Sequence, residues 1–189
     1  IIIHIMKYFK LLIFLFLSTC FTLKSYSLEE NIVNIEDSGN IFFIRHAMAP
    51  GNGDPENISL EDCKTQRNLS KEGIIQSKKI GKFFIDNKIK IEKVLSSEWC
   101  RCKDTALNAF SKFETLNSLN SFYDDKFSMN KKKQIKNLKN YIKNWDQNKN
   151  LVLVTHYVVI LEILNITASS GEIIKSNKKY EIVDRFNVY

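Results

Sequence analysis

With 189 residues, 44% of them hydrophobic and 12% aromatic, the chain carries enough apolar material for one domain around a single core, which excludes an intrinsically disordered protein. The formal net charge of +7 drops to +4 when Lys7, Lys10 and Lys24, in an expected N-terminal leader, are set aside. That is a mild preference for anions: no motif suits base reading or stacking, no nucleic-acid partner is expected, and Lys131-Lys132-Lys133 reads as a solvated helix face.

Residues 1–27 have the pattern of a removable signal peptide. Lys7 and Lys10 precede the apolar Leu11 to Leu17, and Ser25-Tyr26-Ser27 supplies small residues for cleavage. The apolar core is shorter than the ~20 residues that a spanning helix needs, so no lasting membrane span is expected. Leu17-Ser18-Thr19-Cys20 approaches a lipoprotein box but has threonine where a smaller residue is usual, which favours a periplasmic or secreted product over a lipid anchor on Cys20. Residues 28–39 form a polar lead-in, and 40–189 one domain.

The domain begins with Ile41-Phe42-Phe43-Ile44, four apolar residues between Gly39-Asn40 and Pro50-Gly51, as expected of a strand buried on both faces. Residues 48–68 hold both prolines and two glycines among polar residues, which predicts a long loop over the strand ends. Ser70 is a candidate N-cap for a helix reaching Asn87, in which Ile74, Ile75, Ile80, Phe83 and Phe84 recur near helical spacing. Ile91, Val94 and Leu95 predict a second strand, followed by a helix from about Trp99. Residues 113–130 show no period and admit a short strand or turn. Ile135, Leu138, Ile142 and Trp145 predict a further helix, Leu151-Val152-Leu153-Val154 a strand, and Tyr157 to Leu164 a helix. Glu172 to Lys175 and Tyr180 to Arg185 read as a terminal hairpin. Strands alternating with helices imply a three-layer α/β/α sandwich on a mostly parallel sheet.

Two of the buried strands deliver a histidine at their carboxyl end: Arg45-His46 follows the first, and Thr155-His156 the later one. In open α/β sheets ligands bind beyond those ends. Only His4, in the leader, is left of the three histidines. Arg45-His46-Ala47, then Ser97-Glu98-Trp99-Cys100-Arg101-Cys102-Lys103-Asp104-Thr105-Ala106, then Val154-Thr155-His156 together resemble the histidine phosphatase superfamily, the phosphoglycerate mutase-like proteins. The resemblance spans roughly residues 40 to 160.

It implies a phosphoglycerate mutase-like fold and a catalytic His46 that holds the phosphoryl group as a phosphohistidine. Arg45 and Arg101 would grip phosphate oxygens, since a guanidinium stays charged and bonds them in pairs. His156, if protonated, would add a donor. Asn52, seven residues past Arg45, matches a phosphate-contacting asparagine of relatives, and Arg67 is a further candidate phosphate ligand or a structural residue. The insertion in which many relatives carry a catalytic glutamate is absent, so Asp124 is the candidate acid, with Asp125, Asp54 and Glu98 as rivals. Thr105 and Ala106 read as packing.

Outside the leader, Cys63, Cys100 and Cys102 remain, and export favours a disulfide from Cys63 to Cys100 or Cys102 with one buried thiol. Zinc is the alternative, although Cys-x-Cys lacks the usual ligand gap, and no metal or other cofactor is expected. The expected function is an exported phosphatase hydrolysing small phosphomonoesters. The alternatives are a non-catalytic phosphate-binding module and a phosphohistidine phosphatase acting on a protein. Nothing in the sequence sets the oligomeric state.

Overall fold

The computed structural model describes residues 39–146 and 148–188; the expected leader and residues 28–38 lie outside the described residues. The domain is built on a six-stranded sheet. Its strands are β1 (Ile41–Arg45), β2 (Lys93–Ser96), β3 (Glu114–Thr115), β4 (Leu151–Thr155), β5 (Ile173–Ser176) and β6 (Ile182–Phe186). The order across the sheet is β3-β2-β4-β1-β5-β6. The first four of these run parallel, and β5 and β6 are antiparallel, closing one edge as the expected hairpin.

Alternation along β1 sorts its side chains to two faces. Phe42 meets Phe84 at 5.1 Å, and Phe84 meets Phe110 at 5.2 Å, on the face covered by α1 (Lys71–Asp86) and α2 (Cys100–Phe110). Ile41 and Phe43 pack instead with Leu151, Leu153 and the buried residues of α4 (Lys131–Lys143) and α5 (Tyr157–Leu164). Three layers result, with β1 and β4 buried in the middle one. Between α1 and α2 the approach is close enough that a Cβ on Gly81 would stand 2.2 Å from the Ala109 carbonyl oxygen, so glycine is required there.

Local signals account for the element ends. Ser70 accepts from the Gly73 N–H and starts α1, as its N-cap pattern predicts. The stretch without a period, 113–130, contains β3, a 3₁₀ turn (Asn117–Leu119) and the one-turn α3 (Asp125–Ser128). Elements of two to four residues are too short to show periodicity. Among the described residues no helix is long and apolar enough to cross a membrane.

Candidate active site

Three neighbouring parallel strands end at one place. Register pairs Arg45 of β1 with Thr155 of β4, and Ser96 of β2 with Val154. The residues that follow are therefore adjacent: the His46 N–H donates to the Thr155 carbonyl at 2.9 Å, and the Ser97 N–H to the Val154 carbonyl at 2.9 Å. His46 and His156 stand with ring centroids 5.5 Å apart, each only 2% exposed. These are the exits at which the sequence places its histidines, and Ser97 occupies the third.

Hydrogen bonds assign the two imidazoles different edges. His46 Nδ1 lies 2.8 Å from the Ala47 carbonyl oxygen, an acceptor only, so Nδ1 carries the proton and Nε2 keeps a free electron pair. His156 Nε2 lies 2.9 Å from Ser97 Oγ and 3.5 Å from Cys102 Sγ. Ser97 Oγ gives its single hydrogen to Asn120 Oδ1 at 3.2 Å and accepts from the Trp99 N–H, so it meets His156 Nε2 as an acceptor, while burial pushes the Cys102 thiol up to about 12. Nε2 then carries the proton of the neutral ring and Nδ1 the free electron pair.

Burial, reinforced by the Arg101 charge, holds both histidines well below the usual imidazole range. His46 is accordingly neutral, with the Nε2 electron pair unprotonated. For His156 the same burial beside three guanidinium groups disfavours a further cation, so the neutral ring donates through Nε2 to Ser97 and becomes a donor at Nδ1 only when it is protonated.

Arg45, Arg67, Arg101, Asn52 and Asp124 line one cavity of about 360 Å³ together with both histidines. Every residue proposed from the sequence to touch phosphate is thus on its wall. Arg45 Nη1 donates to the Ala168 carbonyl at 2.8 Å, and its guanidinium lies 5.3 Å above the Tyr157 ring. Arg101, on the first turn of α2, is 3% exposed. The Nε atoms of Arg45 and Arg101 are buried and have no hydrogen-bond partner. A charged donor left so costs free energy that an anion would recover.

The loop that closes the cavity is fastened to the start of α2. Cys63 and Cys100 form a disulfide, leaving Cys102 as the buried thiol. This selects one of the two pairings open in the sequence and removes two thiolates from the zinc alternative. Among the described residues there is no cluster of three or more candidate metal ligands. Next to the disulfide, Gln66 Oε1 accepts from the Cys100 N–H at 2.9 Å. Arg67 donates through Nε to the Gly53 carbonyl at 2.8 Å and through Nη1 to the Ala49 carbonyl, so it shapes the loop while facing the cavity.

The carboxylates separate clearly. Asp54 receives both Nη atoms of Arg101, at 2.8 and 3.0 Å. Burial pushes its carboxyl up, but the Arg101 hydrogen bonds and charge outweigh that and hold it below the usual range. Glu98 is tied to Asn120 Nδ2 at 2.5 Å, Asp125 is exposed, and neither lines the cavity. Asp124 does line it, half-buried, while capping α3.

Three roles were not foreseen. Ser97 orients His156; a serine directly after a buried strand, at the exit where two others deliver histidines, is the signal that finds it. Asn120 Oδ1 accepts from Ser97 Oγ and the Glu98 N–H, and lies in the stretch without a pattern. Thr105, read as packing, is also a polar tie: its hydroxyl donates to the Arg101 carbonyl at 2.6 Å and accepts from the Ala47 N–H at 3.0 Å. It joins the two halves of the motif.

No protein-family model matches the chain, and no curated protein matches it in sequence. Solved structures do match it in fold. A phosphoglycerate mutase from Thermus thermophilus is 13% identical with a TM-score of 0.58, covering 79% of this chain and 99% of its own. The protein histidine phosphatase SixA, solved with tungstate, is 15% identical at a TM-score of 0.54, covering 77% and 95%. A phosphoserine phosphatase from Entamoeba histolytica, solved with phosphoserine, is 16% identical at 0.52, covering 72% and 89%. With the sheet order and helical layers above, these place the chain in the phosphoglycerate mutase-like α/β fold, the fold of the histidine phosphatases.

Proposed function

We propose that the protein is an exported histidine phosphatase that hydrolyses small phosphomonoesters through a phosphohistidine on His46. The observation that carries the reading is His46 itself: a buried neutral imidazole, its Nδ1–H spent on the Ala47 carbonyl, its free Nε2 in a cavity shared with three guanidinium groups. A nucleophile activated by its tautomer and surrounded by fixed positive charge suits phosphoryl transfer. Nε2 attacks phosphorus, the P–N bond forms, and the P–O bond to the leaving group breaks. Water then attacks phosphorus, the P–N bond breaks, and phosphate leaves.

Arg45 and Arg101 neutralise the oxygens through donors that include their unpartnered Nε–H groups, and His156 adds a donor at Nδ1 when the bound anion favours its protonated form. Asn52 and Arg67, on the rim, are further phosphate ligands. Asp54 and Asp124 are the carboxylates that line the cavity, and Asp54 is held ionised by Arg101. That leaves Asp124 to protonate the leaving oxygen. Among fold relatives, SixA is named a protein histidine phosphatase and another is a phosphoserine phosphatase, so both small and protein-borne phosphates belong in the substrate panel.

The test is phosphoenzyme trapping with a labelled aryl phosphate. The wild-type protein should yield an acid-labile, base-stable adduct and His46→Ala none, with turnover abolished. Arg101→Ala should lose at least ~3 kcal/mol of transition-state stabilisation, comparable to a missing oxyanion donor. Undiminished turnover by His46→Ala refutes the reading. Heat of phosphate binding in calorimetry without any hydrolysis would favour the binding-module alternative.

A further inference from the structure

We propose that Asp54 is the positioning residue for Arg101: it takes the end of the guanidinium so that phosphate meets the side edge, Nε with Nη2. The inference rests on the phosphatase reading and adds a residue to it.

A guanidinium offers two edges at which a pair of parallel N–H bonds can meet an oxyanion: the end edge, Nη1 with Nη2, and the side edge, Nε with Nη2. In this protein the end edge is used inside the chain. Nη1 donates to Asp54 Oδ1 at 2.8 Å and to the Arg67 carbonyl at 3.3 Å, which accounts for both its hydrogens. Nη2 gives one hydrogen to Asp54 Oδ2 at 3.0 Å. What remains is the other Nη2–H and the Nε–H, and Nε is the atom that is buried without a partner.

Asp54 is itself fixed. Besides the Arg101 pair, Oδ1 accepts from the Arg67 N–H at 3.0 Å and Oδ2 from the Trp99 indole at 3.2 Å. Four donors fill the four acceptor positions of a carboxylate, so it has neither a proton to give nor freedom to swing away. Three of those donors belong to Arg67 and Arg101, on the two segments that the disulfide holds together next door. The carboxylate also offsets one of the three guanidinium charges on the cavity wall, which limits how strongly the released phosphate is retained.

The experiment has two arms. First, the protein is soaked with vanadate and its structure determined. The proposal requires the oxyanion on Arg101 Nε and Nη2, with Asp54 still on Nη1 and Nη2; an oxyanion that displaces Asp54 overturns it, and would make the carboxylate a competitor of substrate. Second, Asp54→Asn is assayed on aryl phosphates with leaving groups of graded pKa. The expected result is a kcat lower by about 100-fold, the scale of a misplaced electrostatic donor, at unchanged or lower KM and by the same factor for every leaving group.

A kcat equal to or above that of the wild-type protein overturns the proposal. So does a loss that grows with leaving-group pKa, which would make Asp54 the acid instead. If Asp54→Asn does not fold, the vanadate structure decides alone. A wild-type protein without turnover sinks the phosphatase reading, and the vanadate position still judges Asp54.

Discussion

The two sides of the cavity are made by different means. On the sheet side, His46, His156 and Ser97 leave adjacent parallel strands, and the ladder register alone sets them side by side. On the loop side, Asp54 and Arg67 sit between residues 46 and 70 in a segment without sheet or α-helix. Their positions come from side-chain bonds to α2 and from one disulfide. A backbone ladder needs many changes to move it. A loop held by a few cross-links has few parts to lose, and each loss is large.

Breaking the cross-link is the strongest test of that contrast. The disulfide closes a sequence separation of 37 residues, for which the chain-entropy estimate is about 4 kcal/mol. The double variant Cys63→Ser, Cys100→Ser should lose about that much stability in urea unfolding. Phosphate affinity should weaken with it, because Asn52, Asp54 and Arg67 share the released loop. The histidine pair should stay intact, so a slow phosphoenzyme should still form at His46. Unchanged stability and affinity would mean that the loop is held by Gln66 and Asp54 without the cross-link.

The same contrast governs what could be read from the sequence. Phe42 and Phe43 face opposite layers, and both histidines end strands, because apolar runs and their exits are local patterns. Ser70 is legible as a cap for the same reason. The loop side gave residue types but no partners. Asp54 stood as one carboxylate among several, since only the fold brings residue 54 to residue 101. Asn120, between β3 and α3, carried no period to announce it. Sequence shows neither the burial of His156 nor the guanidinium groups around it, which set the ionisation that its role as a donor depends on.

A pH series sharpens the comparison on the sheet side. His46 and His156 have folded-state pKa values well below the unfolded value near 6.5. At higher pH both states leave the rings neutral, and stability is full. As pH falls through about 6.5 the unfolded chain takes up protons that the folded chain refuses, so stability falls by up to about 1.4 kcal/mol per pH unit for each ring. The decline continues toward the folded-state values. Urea midpoints between pH 8 and 5 should show this slope, and His46→Gln with His156→Gln should flatten it. A level profile in the unmodified protein would mean that the rings accept charge inside the cavity.

The smallest expected effect asks whether the ladder alone orients His156. Ser97→Ala removes the hydroxyl 2.9 Å from Nε2 but leaves the register of β2 and β4 untouched. The ring stays in place, and the bond that selects its tautomer is lost. A hydrogen bond of this kind contributes about 1 kcal/mol, so kcat should fall about fivefold to tenfold, with Asn120 still bonded to the Glu98 N–H. Nitrogen NMR of His156 should show Nε2 giving up part of its proton to Nδ1. Should both the rate and the tautomer be unchanged, the Cys102 sulfur at 3.5 Å suffices to hold the proton on Nε2. The orientation of the ring would then depend on the sulfur, and Ser97 would serve Asn120 and Trp99 at the start of α2 instead.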